Sequence, residues 1–291
     1  MFNIFFFLYL LKRIFPYLPI ATKEVASGQN EVVDGELISI LFTNVLQSNR
    51  DSDLLIDFIL RKQPDIVLAV ETDDYWVESL SKSLGKAYKA SQIQSQDNLY
   101  GMALYTKLGV MEKDTLFQVQ EDIPSFFSKM QTAKGRIFDF YGIHPRPPSP
   151  TEHDDAIPKD KELISTAKLI VERDNESPVI VGGDLNDVAW SKVTRVFQKI
   201  SGLLDPRRGR GFYATFPAAL PLLRCPIDQV FCSPHFMLKE IEVGPNFGSD
   251  HLPLFITLAL RDEEVEENES LNALSEDHEL ADEIAELKVV E

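Results

Sequence analysis

The sequence predicts an α/β protein. Apolar β-type runs alternate with amphipathic helical segments over most of the chain. Several of those runs end directly on a polar or charged residue, where a packed sheet would deliver it to one rim. The third observation is bulk: 291 residues with 44% hydrophobic and 26% charged positions supply a sizeable core, enough for one large domain or two small ones.

The chain opens on MFNIFFFLYLL, followed by Lys12, Arg13 and IFPYLPIA. Eleven apolar residues cannot span a bilayer as a helix, which needs about 20. A secretory signal would place its positive charge before the apolar stretch. Three readings remain: a shallow interfacial anchor, the remnant of a longer membrane segment, or a hydrophobic arm packed on the domain. Membrane association through residues 1–20 is favoured, with a cytoplasmic protein as the alternative. Residues 21–35 are polar and turn-rich and read as a linker. Residues 1–35 therefore precede a folded domain that is expected to begin near Glu36.

LISILFT at 37–43 predicts a strand ending at Asn44. A helix over 51–62 follows an Asp/Ser cap and places Leu54, Leu55, Phe58 and Ile59 on one face. DIVLAV at 65–70 is a continuous apolar run of the kind buried on both faces, and it ends at Glu71. Asp73 and Asp74 stand where the next helix, 75–84, needs an N-cap. MALYT at 102–106 and IFDFYGI at 137–143 are strands, the second leading into His144. Pro158 opens a helix with Leu163, Ile164, Ala167, Ile170 and Val171 at helical spacing. PVIVGG at 178–183 is a strand ending at Asp184; a helix over 189–200 and strands over 226–232 and 252–260 complete the domain.

The formal charge of -17 is unevenly spread. Residues 262–291 hold thirteen acids against Lys288, a net of −12, which leaves −5 on everything before them. With no aromatic residue and little apolar area to offset its ordering entropy, the segment 261–291 predicts a disordered acidic tail. A short docked helix around 279–288 is the alternative. Cys225 and Cys232 bracket an expected strand that would hold them ~23 Å apart, too far for a disulfide.

Asn44, Glu71, His144 and Asp184 each follow a predicted strand immediately, and such positions gather ligands and catalytic groups in layered α/β structures. Asp184 also follows two glycines, suggesting close approach of the backbone to something small and charged. Hard oxygen donors suit magnesium, which takes one or two protein carboxylates and fills its shell with water and phosphate oxygens. With no Cys/His cluster at zinc spacing and no P-loop, magnesium-assisted hydrolysis is the economical reading.

ETD after a strand, GGDLND at 182–187, PIDQV and GSDHLP at 248–253, in this order, resemble the endonuclease/exonuclease/phosphatase superfamily, also called deoxyribonuclease-like, in a bacterial membrane-associated form. The resemblance covers residues 36–260. It implies a four-layer α/β sandwich of two mostly antiparallel sheets packed face to face, with helices outside. It also implies Glu71 as principal ligand of Mg2+, or of Mn2+ in its place, with Asn44 beside it and Asp250 contributing. Asp184 matches the residue that orients or deprotonates the attacking water, and Asn186 the one that binds a phosphoryl oxygen. His251 would face the phosphorus, and Asp228 would fix its tautomer and favour its charged form. His144 resembles the second histidine of the deoxyribonuclease and sphingomyelinase branches. Many relatives carry a histidine after the Asp of the PID motif; Gln229 stands here, and glutamine cannot shuttle a proton at neutral pH. The loop DPRRGRG resembles a substrate loop of bacterial members and offers Arg207, Arg208 and Arg210, of which Arg208 and Arg210 are assigned to substrate phosphate. His153, His235 and His278 lie outside every motif and read as surface residues.

The expected activity is hydrolysis of a phosphoester by a monomeric phosphodiesterase or phosphatase. A nuclease acting on DNA or RNA is the alternative, although the chain lacks the broad basic stripe that strong binding to nucleic acid needs. A catalytically inactive binding or scaffold protein that keeps the fold is the rival from another class, with Gln229 as its hint.

Overall fold

The computed structural model describes residues 2–28, 36–148, 156–173 and 177–289. Two sheets pack face to face. The first runs in the order β10-β11-β1-β2-β4-β3, and the second β5-β6-β7-β8-β9. The first comprises β1 (Glu36–Asn44), β2 (Ile66–Val70), β3 (Lys89–Gln94), β4 (Met102–Thr106), β10 (Phe236–Val243) and β11 (Leu254–Leu260). The second comprises β5 (Gly109–Leu116), β6 (Ser125–Gln131), β7 (Ile137–Gly142), β8 (Val179–Asp184) and β9 (Asp228–Cys232). Phe42, Leu104, Phe140, Ile180, Val230 and Ile256 fill the space between them. Helices α2 (Asp53–Lys62) and α3 (Asp74–Leu84) cover the outside of the first sheet through Phe58, Ile59 and Trp76. Helices α4 (Ile157–Arg173) and α5 (Lys192–Ser201) cover the second through Leu163, Ala167 and Phe197. The expected four-layer sandwich is what forms.

One parallel pair in each sheet places the site. β1 pairs parallel with β2, and β7 with β8, while every other strand pair is antiparallel. Parallel neighbours need a crossover, supplied by α2 in the first sheet and α4 in the second. Each crossover unit therefore sends both of its strands toward the same rim: Asn44 and Glu71 from one sheet, His144 and Asp184 from the other.

The strands that sequence reasoning missed are β3, β5, β6 and β10. Three of them are sheet edges, and KASQIQ, GVMEKDTL and FMLKEIEV carry the charges that edge strands use to discourage further pairing. Helix α2 buries Ile56 in place of the expected Leu54, which is 51% exposed.

Both ends of the chain depart from expectation. The domain does not begin near Glu36: Tyr17 and Val25 are buried, and Ser27 bridges to Leu238 on the free edge of β10. The expected linker is thus partly an added edge segment; its residues 29–35 lie outside those described. The acidic tail is not disordered across its described length. Asn268 is buried and donates to the Pro234 and Phe236 carbonyls. Helix α6 (Ser275–Glu286) then packs Ala281 and Ile284 on Ile164 of α4 and Val196 of α5. Average composition hid a narrow apolar stripe at helical spacing, with acids flanking it that meet Lys168 and Lys199. The apolar N-terminus forms α1 (Phe2–Ile14), which exposes Phe7, Leu8 and Tyr9. Among the described residues no helix is long and apolar enough to cross a membrane.

Candidate active site

Asp184 is the centre. Its Oδ2 lies 3.1 Å from Asn44 Nδ2, 3.5 Å from His251 Nε2 and 3.8 Å from His144 Nε2. Its Oδ1 accepts from the Asn186 amide at 3.0 Å. Burial alone would raise the pKa of this carboxyl, but the two imidazoles and the Asn44 donor outweigh it and hold it below the usual carboxylate range.

Asn44 links Asp184 of the other sheet to Glu71 of its own, donating also to Glu71 Oε1 at 2.7 Å, while its own oxygen accepts from the Leu46 amide. In this arrangement Asn44 orients the two carboxylates. Burial pushes the Glu71 carboxyl up, against the opposing pull of His144 and Asn44. Its second oxygen meets only the Gln47 amide, at 3.3 Å.

His251 donates from Nδ1 to Asp228 Oδ2 at 2.8 Å, and its ring lies 4.7 Å from that of Phe216. Burial opposes charge on this imidazole, yet Asp228 and Asp184 overcome it and push its pKa up to about 10. Asp228 is fixed in turn by the Thr215 hydroxyl. His144 is buried against Tyr100 at 5.6 Å between ring centres, and its Nδ1 finds no partner among the described residues.

Glu71 and Asn186 both take left-handed backbone conformations, φ 60° and 49°. Such conformations are uncommon for residues other than glycine and collect at functional sites. The two glycines before Asp184 serve packing: a Cβ on Gly182 would strike the Phe42 ring at 2.4 Å, and one on Gly183 the Ile143 carbonyl at 2.1 Å. The close approach inferred from them is between the protein's own strands, and it lets β8 lie tightly beside the segment carrying His144.

These groups floor a cleft of about 470 Å³. Its walls are Leu99, Tyr100, Pro147 and Pro148 on one part and Val188, Phe216, Cys225 and Ile227 on another, and among the described residues its lining contains no lysine or arginine. Asp250 lines the cleft beside Glu71 and is exposed. Among the described residues, Asp184, Asp228 and His251 bring ligand atoms within 4.8 Å of one another. Asp228 and His251 are already hydrogen-bonded to each other through Oδ2 and Nδ1.

The arginines are elsewhere. Arg207 is buried against Asp205, Arg208 pairs with Glu24, and Arg210 donates to the Val25 carbonyl and the Ser27 hydroxyl. Phosphate binding by Arg208 and Arg210 is therefore not what this structure supports; they fasten the N-terminal segment. Gln229 also points away from the cleft, toward Arg207. Its replacement of histidine removes no acid or base from the site, so the hint of an inactive scaffold falls away. Cys225 is partly exposed on the cleft wall. His235 is buried and not a surface residue, His278 is exposed, and His153 lies outside the described residues. Sequence reasoning missed Tyr100 and Phe216, which lie in no motif and touch the two histidines only through folding.

The profile of the Endonuclease/Exonuclease/phosphatase family matches residues 25–251. No curated protein is similar enough in sequence to match. Solved structures share the fold. D. rerio TDP2 complexed with single strand DNA product is 17% identical, with a TM-score of 0.64 over 77% of this chain and 99% of that one. The human Nocturnin catalytic domain with bound sulfate is 18% identical, with a TM-score of 0.61 over 77% and 94%. A mannosyl-6-phosphatase of Bacteroides thetaiotaomicron is 16% identical, with a TM-score of 0.57 over 76% and 99%. The chain belongs to the endonuclease/exonuclease/phosphatase family.

Proposed function

We propose that, as a member of that family, this chain is a magnesium-dependent phosphodiesterase or phosphatase acting as a monomer by in-line attack of water. The observation that carries the reading is one Asp184 oxygen held among Asn44, His144 and His251 at the floor of an open cleft. Glu71 fits a hard cation, because it is a half-buried carboxylate whose hydrogen bonds among the described residues come from Asn44 and the Gln47 amide. Glu71, with Asp250 from the cleft edge, would hold Mg2+, or Mn2+ in its place. The Asp184–Asp228–His251 group is the weaker candidate, since its members are committed to one another. When bound, the ion supplies positive charge against the phosphoryl oxygens.

The remaining steps belong to the chain itself. Asp184 orients the attacking water and takes its proton. Asn186 spends one amide hydrogen on the Pro145 carbonyl and has the other to donate to a phosphoryl oxygen. His251, kept charged by Asp228, donates from Nε2 to the pentavalent phosphate, and His144 protonates the departing oxygen.

A cleft with apolar walls and no lysine or arginine in its lining suits a single phosphoester joined to an apolar or planar group. A polyanion would need several cations along its backbone. The nuclease reading keeps one support, a shared fold with a protein solved with a DNA product. Membrane tethering by residues 1–20, in the manner of a bacterial membrane-associated form, is supported by the exposed apolar side chains of α1 and by Lys12 and Arg13 in its last turn. A cytoplasmic protein is the alternative, and sedimentation with phosphatidylcholine vesicles, with and without residues 2–14, separates the two.

Purified protein with Mg2+ should turn over bis(p-nitrophenyl) phosphate or phospholipid faster than plasmid DNA or oligonucleotide. Replacement of Glu71 by Gln should raise the Mg2+ concentration needed for half-maximal rate. No turnover of any phosphodiester, phosphomonoester or nucleic acid would sink the proposal, and preference for DNA would favour the nuclease.

A further inference from the structure

Behind the catalytic strand β9 lies a second buried charge cluster that takes no part in the chemistry above. Side chains alternate along a strand, so Asp228 faces His251 and Gln229 faces the other way, toward Arg207. Gln229 Oε1 accepts from Arg207 Nη2 at 2.9 Å, and its Nε2 donates to the Asp187 carbonyl at 2.6 Å. Arg207, fully buried, also donates to the Asp228 carbonyl at 3.4 Å and grips Asp205 through Nε and Nη2 at 2.9 and 2.7 Å.

The location matters. The β8–β9 ladder ends at the Asp184–Asp228 pair, with one further bond from the Leu185 amide to the Ile227 carbonyl. Beyond it, Asn186 and Asp187 leave on one side and Asp228 is held on the other. The Gln229 amide and the Arg207 guanidinium tie the Asp187 and Asp228 carbonyls together where the ladder has stopped. A buried ion pair is a weak source of stability, whereas fixing a register is its best-attested use.

The N-terminal segment closes this cluster from behind. The Tyr17 ring lies 5.9 Å from the Arg207 guanidinium and its hydroxyl donates to the Ala189 carbonyl at 2.7 Å. The Gly209 amide donates to the Pro16 carbonyl at 2.8 Å. Gly209 sits at φ +70°, and a Cβ there would strike the Ala21 carbonyl at 2.7 Å, so the loop is shaped to receive this segment.

We propose that Arg207 and Gln229 form a positioning clamp that holds the Asp228–His251 pair in register with the Asp184–Asp187 segment, and that residues 16–27 lock it. The role rests on the hydrolase reading; the geometry of the clamp does not. Gln229→Met keeps the volume and removes both hydrogen bonds. It should lower kcat about tenfold with KM within about twofold, since small misplacement of catalytic groups costs rate before binding. Gln229→His, whose ring nitrogens can take one donor and one acceptor part, should recover at least about half of the loss in log kcat. In an Asp228→Asn background, Gln229→Met should cost almost nothing further, because both changes act on one pair.

Independent effects in that cycle, or an unchanged kcat in Gln229→Met, would overturn the clamp. Should Gln229→Met not fold, Tyr17→Leu tests the lock by the same cycle and the same readings apply. An arm that needs no turnover is the downfield proton NMR resonance of the His251–Asp228 hydrogen bond. It should be sharp in the parent and shifted or broadened in Gln229→Met or Tyr17→Leu. A parent that hydrolyses nothing but shows this change would sink the hydrolase reading and keep the clamp; an unaltered resonance would sink the clamp alone.

Discussion

Two buried charge clusters lie on opposite sides of β9, and they are built to opposite rules. In the clamp, Arg207 spends its guanidinium on Asp205, Gln229 and the Asp228 carbonyl, and Asp205 accepts at both oxygens. Around Asp184 the accounts stay open: His144 Nδ1 has no partner, one Glu71 oxygen meets a single long amide contact, and two residues hold left-handed conformations. A satisfied polar network fixes structure, whereas an unsatisfied one has capacity left for a ligand. The clamp is the frame, and the Asp184 cluster is what it frames.

The largest effect expected from this difference is on stability at the clamp. Arg207→Met leaves Asp205 buried and uncompensated, which should cost about 3–5 kcal/mol by denaturant unfolding. A loss below about 1 kcal/mol would show that the clamp is no more committed than the site.

Glu162 is the intermediate case and sharpens the comparison through pH. It is buried, accepts from Gln118 Nε2 at 3.3 Å, has one oxygen without a partner, and faces no cation among its hydrogen bonds. Burial pushes its carboxyl from 4.5 to about 7, despite the Ser125 and Gln118 hydrogen bonds. The folded state therefore keeps a proton that the unfolded state releases. Its contribution to stability is present below the unfolded value and is lost as pH rises toward 7. Taking roughly 1.4 kcal/mol per unit, the loss is on the order of 3 kcal/mol. Glu162→Gln should flatten this part of the profile, read as unfolding midpoints at pH 5 and pH 8. An unchanged difference between the two pH values would refute the assignment.

Asp184→Ala tests the open cluster. The rate should fall at least about a hundredfold, some 2.7 kcal/mol of barrier, while the unfolding midpoint moves less than in Arg207→Met. A rate equal to the parent would dismiss the site, and a larger loss of stability than at Arg207 would erase the distinction.

The open cluster was far more legible in the sequence than the closed one, for a physical reason. Asn44, Glu71, His144 and Asp184 each end an apolar run, and a buried strand gives such a residue no other employment. Their convergence follows from two parallel crossovers, whose helices carry clear periodicity. Of the clamp, the sequence shows Asp205 and Arg207 only as part of a basic loop and Gln229 only as a departure within a motif, and nothing local reveals that these residues will meet one another across the fold or that Tyr17 and Glu24 will close on the loop. The edge strands β3, β5 and β10 hid behind charged positions. The tail failed differently: net charge is a property of the whole segment, while docking needs only Ala281 and Ile284 on one face.

That tail supplies the smallest expected effect, because α6 touches neither cluster. Ala281 and Ile284 are 1% and 6% exposed against Ile164 and Val196, and the half-buried Lys199 pairs with Asp277 beside them. Burying this much apolar area is worth about 3 kcal/mol before the entropy of ordering the helix is subtracted, so a chain ending at Ala273 should lose about 1–2 kcal/mol of stability. Its kcat should stay within about twofold, since α4 and α5 still carry Lys159 and the Asp187 loop between them. A fall in kcat comparable to that of Gln229→Met would mean that α6 steadies the Asp187 segment through α5, and the frame would then extend beyond the clamp.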